Sequence, residues 1–339
     1  MGGRSRALAP SLLAPSLLAP SLLALALLVT TAACGPAETS TETGAGANGG
    51  SGGAGAAGGS GGSGGAGGGD VCGPFQIPVT DPAACNGSPA LCERRFDEVS
   101  YPTTHNAMSN ADEGWIAPNQ THPLRVQLTD GVRGLMLDTH ENADGVPSLC
   151  HGACAWGETP LVTALHEIAT FLRCNPREVV TLIFEAYITP EQTDAAFVES
   201  GLVDFVHTQH PGDPWPTLAE MIAGDHRLVA LTDDPAGSPA YYHHVWDLAW
   251  DNPYAAETPE DLSCELGRGD PANSLFILNH FLTAPTGDPA LAEQINHNPF
   301  FLTRAQTCAA ETGDHPNFVT VDFHDIGDLF EVTATLDEL

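Results

Sequence analysis

Lysine is absent from this sequence of 339 residues, whose 11 basic residues are all arginine and face 43 acidic ones, for a formal net charge of −32. Without a lysine amine, neither Schiff-base chemistry nor a P-loop can be built. Such an excess of acid also excludes nucleic acid as a partner, because that binding rests on neutralising phosphates with cations. Divalent metals are the more natural counter-ions, although most of these carboxylates are simply solvated. Long uninterrupted apolar runs are missing too: Pro10, Pro15 and Pro20 cut the N-terminal apolar stretch below the length that spans a bilayer. No Cys-x2-Cys pair occurs, and the nearest approach, Cys150-x3-Cys154, makes zinc the weaker reading of the cysteines.

What is present begins with an export signal. Arg4 and Arg6 precede the apolar stretch, which ends Thr31-Ala32-Ala33-Cys34-Gly35, so residues 1–34 are a signal peptide with a lipobox-like end. Cys34 is the expected lipidation site; plain secretion is the alternative. Residues 35–70, almost entirely Gly, Ala, Ser and Thr, read as a flexible tether. Residues 71–339 are enough for one large domain. Beyond Cys34, eight cysteines at 72, 85, 92, 150, 154, 174, 264 and 308 imply up to four disulfides in an oxidising compartment, with Cys72, Cys85 and Cys92 clustered and Cys264 joined to Cys308.

Short apolar runs recur at Val99–Thr104, Gly131–Leu137, Val146–Leu149, Val179–Phe184, Leu202–Val206, Arg227–Leu231, Leu275–Leu278 and Phe318–Val321. Runs of this length suit strands buried on both faces. Leu161–Arg173 carries one apolar face at helical spacing and stops at Asn175-Pro176, and Pro216–Ala223 reads as a second helix. Eight strands alternating with helices predict a (β/α)8 barrel. The residues that follow the runs are the informative ones: His105 and Asn106, then Asp138 and His140, His151, Glu185, Asp233 and Asp234, Asn279 and His280, and Asp322. In a parallel barrel all of these meet at one face, where such folds place their chemistry.

His105 and His151 sit among small neighbours, and an imidazole can serve as base in one step and acid in the next near neutral pH. Two of them flanking a phosphate suit in-line displacement. Asn106, Asp138 and Glu185 offer the hard oxygens that calcium favours; barrel-mouth hydrogen bonds are the alternative use of the two acids.

Four segments carry a family resemblance: Tyr101-Pro102-Thr103-Thr104-His105-Asn106-Ala107-Met108-Ser109, Gly131-Val132-Arg133-Gly134-Leu135-Met136-Leu137-Asp138, Leu149-Cys150-His151-Gly152, and Asn175 through Glu185. In order and spacing they resemble the X-domain of phosphatidylinositol-specific phospholipases C. Asn279-His280-Phe281 and Pro316 through Phe323 resemble the exported bacterial and fungal branch. The resemblance implies a distorted (β/α)8 barrel that cleaves an inositol phosphodiester through the neighbouring 2-hydroxyl, giving a cyclic phosphate. It makes His105 the general base and His151 the general acid, with Asp138 and Asp322 completing the catalytic set and Asp322 able to orient a histidine. In the metal-dependent members Asn106, Asp138 and Glu185 match calcium ligands, while Met136 stands where those members carry a further acid. The metal-independent members use an arginine where Asp138 stands, so Ca2+ is the favoured cofactor. Arg133, read chiefly as a barrel residue, joins His140, Asn279 and His280 on the substrate side. The expected partners are a phospholipid or other phosphodiester and, through the anchor, a membrane surface, with the protein a monomer. Glycerophosphodiester- or sphingomyelin-type cleavage on the same barrel is the alternative, and Met136 breaks the pair of acids those families expect; a non-catalytic surface module is the other.

Overall fold

The computed structural model describes residues 72–79, 81–234, 238–284 and 286–338. Cys34, the signal segment and the glycine-rich tether lie outside the described residues. No helix among the described residues is long and apolar enough to cross a membrane.

Ten strands and seven α-helices succeed one another as β1 (Tyr101–Thr104), α1 (Leu124–Asp130), β2 (Gly134–Glu141), β3 (Pro147–Leu149), β4 (Thr159–Pro160), α2 (Leu161–Cys174), β5 (Val180–Ala186), α3 (Pro190–Ser200), α4 (Leu218–Ala223), β6 (Leu228–Thr232), β7 (Tyr242–His244), β8 (Ala249–Asp251), β9 (Leu275–Asn279), α5 (Pro289–Ile295), α6 (Phe300–Thr312), β10 (Pro316–Val321) and α7 (Leu329–Leu336). Eight of the strands are parallel, in the order β7-β6-β5-β2-β1-β10-β9-β8. This is a distorted (β/α)8 barrel. Among the described residues no ladder joins its end strands β7 and β8, each only three residues long.

The count of eight is reached by a different route from the one the apolar runs suggest. Val146–Leu149 contributes β3, antiparallel to β2 and continued by β4, which is a side ribbon and not a barrel stave. Leu202–Phe205 forms a 3-10 turn, capped by Gly201 in the left-handed region and touching the sheet through a bridge from Val206 to Leu228. The two missing staves are β7 and β8, too short to show as apolar runs.

Both faces of the sheet are buried, which is why the strands read as continuous apolar runs. Alternation nevertheless sorts the side chains. On β5, Ile183 packs with Val229 and Leu231 of β6, Ile277 of β9 and Phe318 of β10 in the barrel interior. The neighbours of opposite parity, Leu182, Phe184 and Ala230, pack outward with helices α2 and α3. Leu278, Val319 and Val321 face α6 and α7. At the N-terminal end Phe96, Tyr101, Trp215 and Phe318 stack in a plug, with Phe96 and Trp215 centroids 4.5 Å apart. Gly134 lets β1 and β2 close up, since a Cβ there would come within 2.3 Å of Thr103 Oγ1.

Among the described residues four disulfides tie the outer layer: Cys72–Cys174, Cys85–Cys92, Cys150–Cys154 and Cys264–Cys308. The expected 264–308 bridge is present. Cys72, expected to cluster with 85 and 92, instead reaches the end of α2, because the chain before β1 runs down past that helix, where Asn175 binds the Phe75 carbonyl and the Ile77 amide. Among the described residues the zinc alternative finds no free cysteine. Cys150, Cys154 and Glu158 are the described His, Cys, Asp or Glu group whose ligand atoms converge within 4.8 Å, and its two sulfurs are bonded to each other.

Candidate active site

Inner parity at the C-terminal ends of the strands selects the site. Tyr101 and Phe318 point inward, so His105 and Asp322, each four residues further on, point inward as well. Met136 and Ile183 do the same for Asp138 and Glu185, and Leu231 for Asp233. Register then brings them level: Asp138 pairs with Glu185 across β2 and β5, and the His105 amide takes the Val321 carbonyl at 3.0 Å. One cavity is lined by His105, Asn106, Asp138, Glu185, Asp233 and Arg268, with Met136, Ile183 and Ile277 beneath.

The His105 ring is held by two contacts. It stacks nearly parallel on that of Phe281, with centroids 3.9 Å apart, and its Nδ1 is 2.9 Å from Asp322 Oδ1. A carboxylate accepts only, so Nδ1 carries the proton and Nε2 is left as the basic nitrogen. Asp322, 4 % exposed, also receives Asn119 Nδ2 on both oxygens. Gly287 permits that packing, since a Cβ there would lie 2.5 Å from Asp322 Oδ2.

His151 stands in the loop after β3, with Nε2 3.2 Å from Asn106 Nδ2. Asn106 follows His105 directly and adopts φ 45°, which turns it toward that loop. Burial holds the His151 pKa below the ordinary histidine value, and the neighbouring His105 lowers it further. Both imidazoles therefore occupy the same end of the barrel.

The acids form the opposite wall. Asp138 is 7 % exposed and its carboxylate makes no hydrogen bond or ion pair among the described residues. Burial raises its pKa well above the carboxylate range, and Glu185 and Asp233 add to the effect. Asp233 is anchored by the Ala186 amide at 2.8 Å, while Glu185 accepts from the Tyr187 hydroxyl. A buried, unpartnered carboxylate beside two others is a donor set that a divalent cation satisfies. The ligand oxygens of the three acids do not all lie within 4.8 Å of one another.

The proposed substrate-side residues separate. Arg133 lies outside the site: at 4 % exposure it pairs with Glu178 and binds the Leu128 and Val132 carbonyls, where helix α1 meets the start of β2. His280 is fully buried on the outward side, 3.9 Å from the Phe301 ring, with Nε2 on the Ile295 carbonyl and Nδ1 facing Arg304. It follows Asn279, whose parity is inward, and so must face α6. Asn279 lines the cavity with its amide spent on Asp251 and the Asn252 carbonyl. His140 borders the site without lining the cavity, stacked on Tyr187 at 4.3 Å.

Arg268 was not singled out from the sequence. Its guanidinium lies between the rings of Trp246 and Tyr254, at 4.6 and 4.4 Å, and is held by fully buried Asp251 at 2.6 Å. The flanking glycines were the available signal. Gly267 would bring a Cβ within 2.7 Å of Asp251 Oδ1, and Gly269 has φ +84°. Among the cavity's described residues Arg268 is the permanent cation.

The comparisons with known proteins bear on the family and the fold. At 27 % identity the chain aligns with "PI-PLC X domain-containing protein 1" of Arthroderma benhamiae, over 78 % of this chain and 92 % of that one. It is 31 % identical to a PI-PLC X domain-containing protein of Arabidopsis thaliana over 70 % of this chain. It is 28 % identical to an "Uncharacterized secreted protein" of A. benhamiae over 77 %. The matches span 61 % and 65 % of those two relatives. In fold it resembles a phosphatidylinositol-specific phospholipase C of Staphylococcus aureus, with a TM-score of 0.52 at 16 % identity over 73 % of this chain and 94 % of that one. With the PI-PLC X profile matching residues 91–337, from ahead of β1 to the end of α7, this chain belongs to the PI-PLC X family.

Proposed function

We propose that the chain is an exported phosphodiesterase of the phosphatidylinositol-specific phospholipase C type. His105 Nε2 takes the proton from the substrate's 2-hydroxyl. That oxygen attacks phosphorus, the bond to the lipid oxygen breaks, and His151 donates a proton to the leaving oxygen. A cyclic phosphate and a diacylglycerol-type alcohol result. The observation that carries this reading is the His105–Asp322 pair at 2.9 Å, which fixes one tautomer and leaves the basic nitrogen unoccupied by any described partner. Partial burial lowers the His151 pKa, and the anionic diester beside it would favour the protonated imidazole, its proton drawn from solvent.

Asn106, Asp138 and Glu185 would hold calcium, with Asp233 adjacent. The ion would lower the pKa of the attacking hydroxyl and offset charge on the phosphoryl oxygens. Arg268 and the exposed Tyr254 ring form the wall against which a polyol head group would rest. Four disulfides, together with a relative named as secreted, support an extracellular setting, with Cys34 as the lipid anchor. The test is incubation of the purified chain with phosphatidylinositol, with and without chelator. Cyclic inositol phosphate, lost on chelation and formed at least about a hundredfold more slowly by His105→Ala, is expected. Product formation by His105→Ala at the wild-type rate would end the proposal.

A further inference from the structure

The two imidazoles are positioned by different means. His105 continues a barrel strand, donates its backbone amide to Val321, rests its ring on Phe281 and its Nδ1 on Asp322. His151 has none of these supports, and among the described residues its ring is met only by Asn106 Nδ2, 3.2 Å from Nε2. It sits at the neck of the hairpin loop between β3 and β4, where Leu149 pairs with Thr159. Among the described residues the amides of His151, Gly152 and Ala153 find no acceptor, and the buried Nδ1 has no partner. Gly152 takes φ +70°, in the left-handed region that glycine adopts without strain. What closes the loop is covalent: Cys150, fully buried and bonded through its amide to the Asp138 carbonyl, is joined to Cys154. Beyond Cys154 the chain docks on the neighbouring loop through Ile116 and the Trp156 carbonyl at 2.7 Å, and Gly157 lies against Trp115.

We infer that the Cys150–Cys154 disulfide is the positioning device for His151, so that the protonation step, and not the attack step, depends on this bond. The inference rests on His151 serving as the acid. Its chemistry is that of thiol–disulfide exchange. A dithiol reductant attacks one sulfur, the S–S bond breaks, two cysteine thiols form and the reductant leaves as its own disulfide. The bond thereby makes the acid step available only in an oxidising compartment. Closing so short a ring removes loop freedom that His151 would otherwise explore.

The leaving group separates positioning from general damage. A nitrophenolate departs without a proton, whereas a diacylglycerol oxygen needs one. The double variant Cys150→Ala/Cys154→Ala should lose at least about tenfold in kcat on phosphatidylinositol with KM little changed, and less than about threefold on an inositol 4-nitrophenyl phosphodiester. Cys85→Ala/Cys92→Ala, a bridge remote from the cavity, should leave both rates alone. Equal loss on both substrates, or no loss on either, would overturn the inference. If the wild-type chain cleaves neither substrate, the functional reading fails by itself. Hydrogen exchange of the Ile116, Trp156 and Gly157 amides then decides the clamp. Faster exchange in the double variant, with the barrel amides unchanged, supports it, and unchanged exchange overturns it.

Discussion

Replacing Asp322 with Asn changes one atom pair and tests the base. Asp322 Oδ1 accepts from His105 Nδ1 at 2.9 Å, and both of its oxygens accept from Asn119 Nδ2 at 3.1 and 3.2 Å. An amide offers one oxygen and one NH2 in that space. If its oxygen stays with Asn119, the NH2 meets His105 and forces the other tautomer, placing the proton on the nitrogen that must accept one. The same exchange in a serine-protease triad lowers kcat by ~10⁴, and general-base assistance contributes about 10²–10⁴. We expect a fall of about 10³, equivalent to roughly 4 kcal/mol of transition-state stabilisation. The fold loses one buried hydrogen bond to a charged group, about 1.5–3 kcal/mol. At about 2–4 °C per kcal/mol for a domain of this size, Tm should drop by roughly 3–12 °C. Steady-state rates measured well below the transition, with thermal melts on the same samples, separate the two effects. Against a His105→Ala background the same exchange should cost almost nothing in kcat, because the two residues act as one unit. Additive losses, or a single variant within tenfold of wild type, would refute the tautomer argument.

Further outcomes follow from other contacts. Because burial and His105 lower the His151 pKa, the protonated acid prevails only on the acidic side of the ordinary histidine value of 6.5. The alkaline limb of kcat/KM in a pH–rate profile should therefore lie below 6.5; a limb above 7 would remove His151 as the acid. Arg133→Ala leaves Glu178 buried without its cation and should destabilise by about 3–5 kcal/mol in chemical denaturation, with kcat and KM unchanged under native conditions; a raised KM would return Arg133 to the substrate. Removing Cys72–Cys174, which closes a separation of 102 residues, should cost up to about 4–5 kcal/mol by chain entropy, read as a lower denaturant midpoint at constant kcat. Calcium titrated calorimetrically into the chain should bind, with release of protons because burial and the neighbouring acids favour the protonated form of Asp138 before the ion arrives. Asp138→Asn should abolish the heat, and an undiminished signal would place the metal elsewhere.

Sequence alone determined what is local. Burial on both faces of β5, β6, β9 and β10 wrote continuous apolar runs, and a polar residue after each run marked the end of the barrel that holds the candidate site. Side-chain parity, also local, was enough to turn His105, Asp138, Glu185 and Asp322 inward and His280 outward. Tertiary structure decided the rest. Strands of three residues, β7 and β8, are defined by the neighbours they pair with and not by any pattern of their own. Arg268 enters the cavity because Asp251, Trp246 and Tyr254 hold it there, and Cys72 finds Cys174 across 102 residues. The direction in which a side chain points depends on its own strand; which partner it meets depends on the register between strands, and that is set by the packing of the whole barrel.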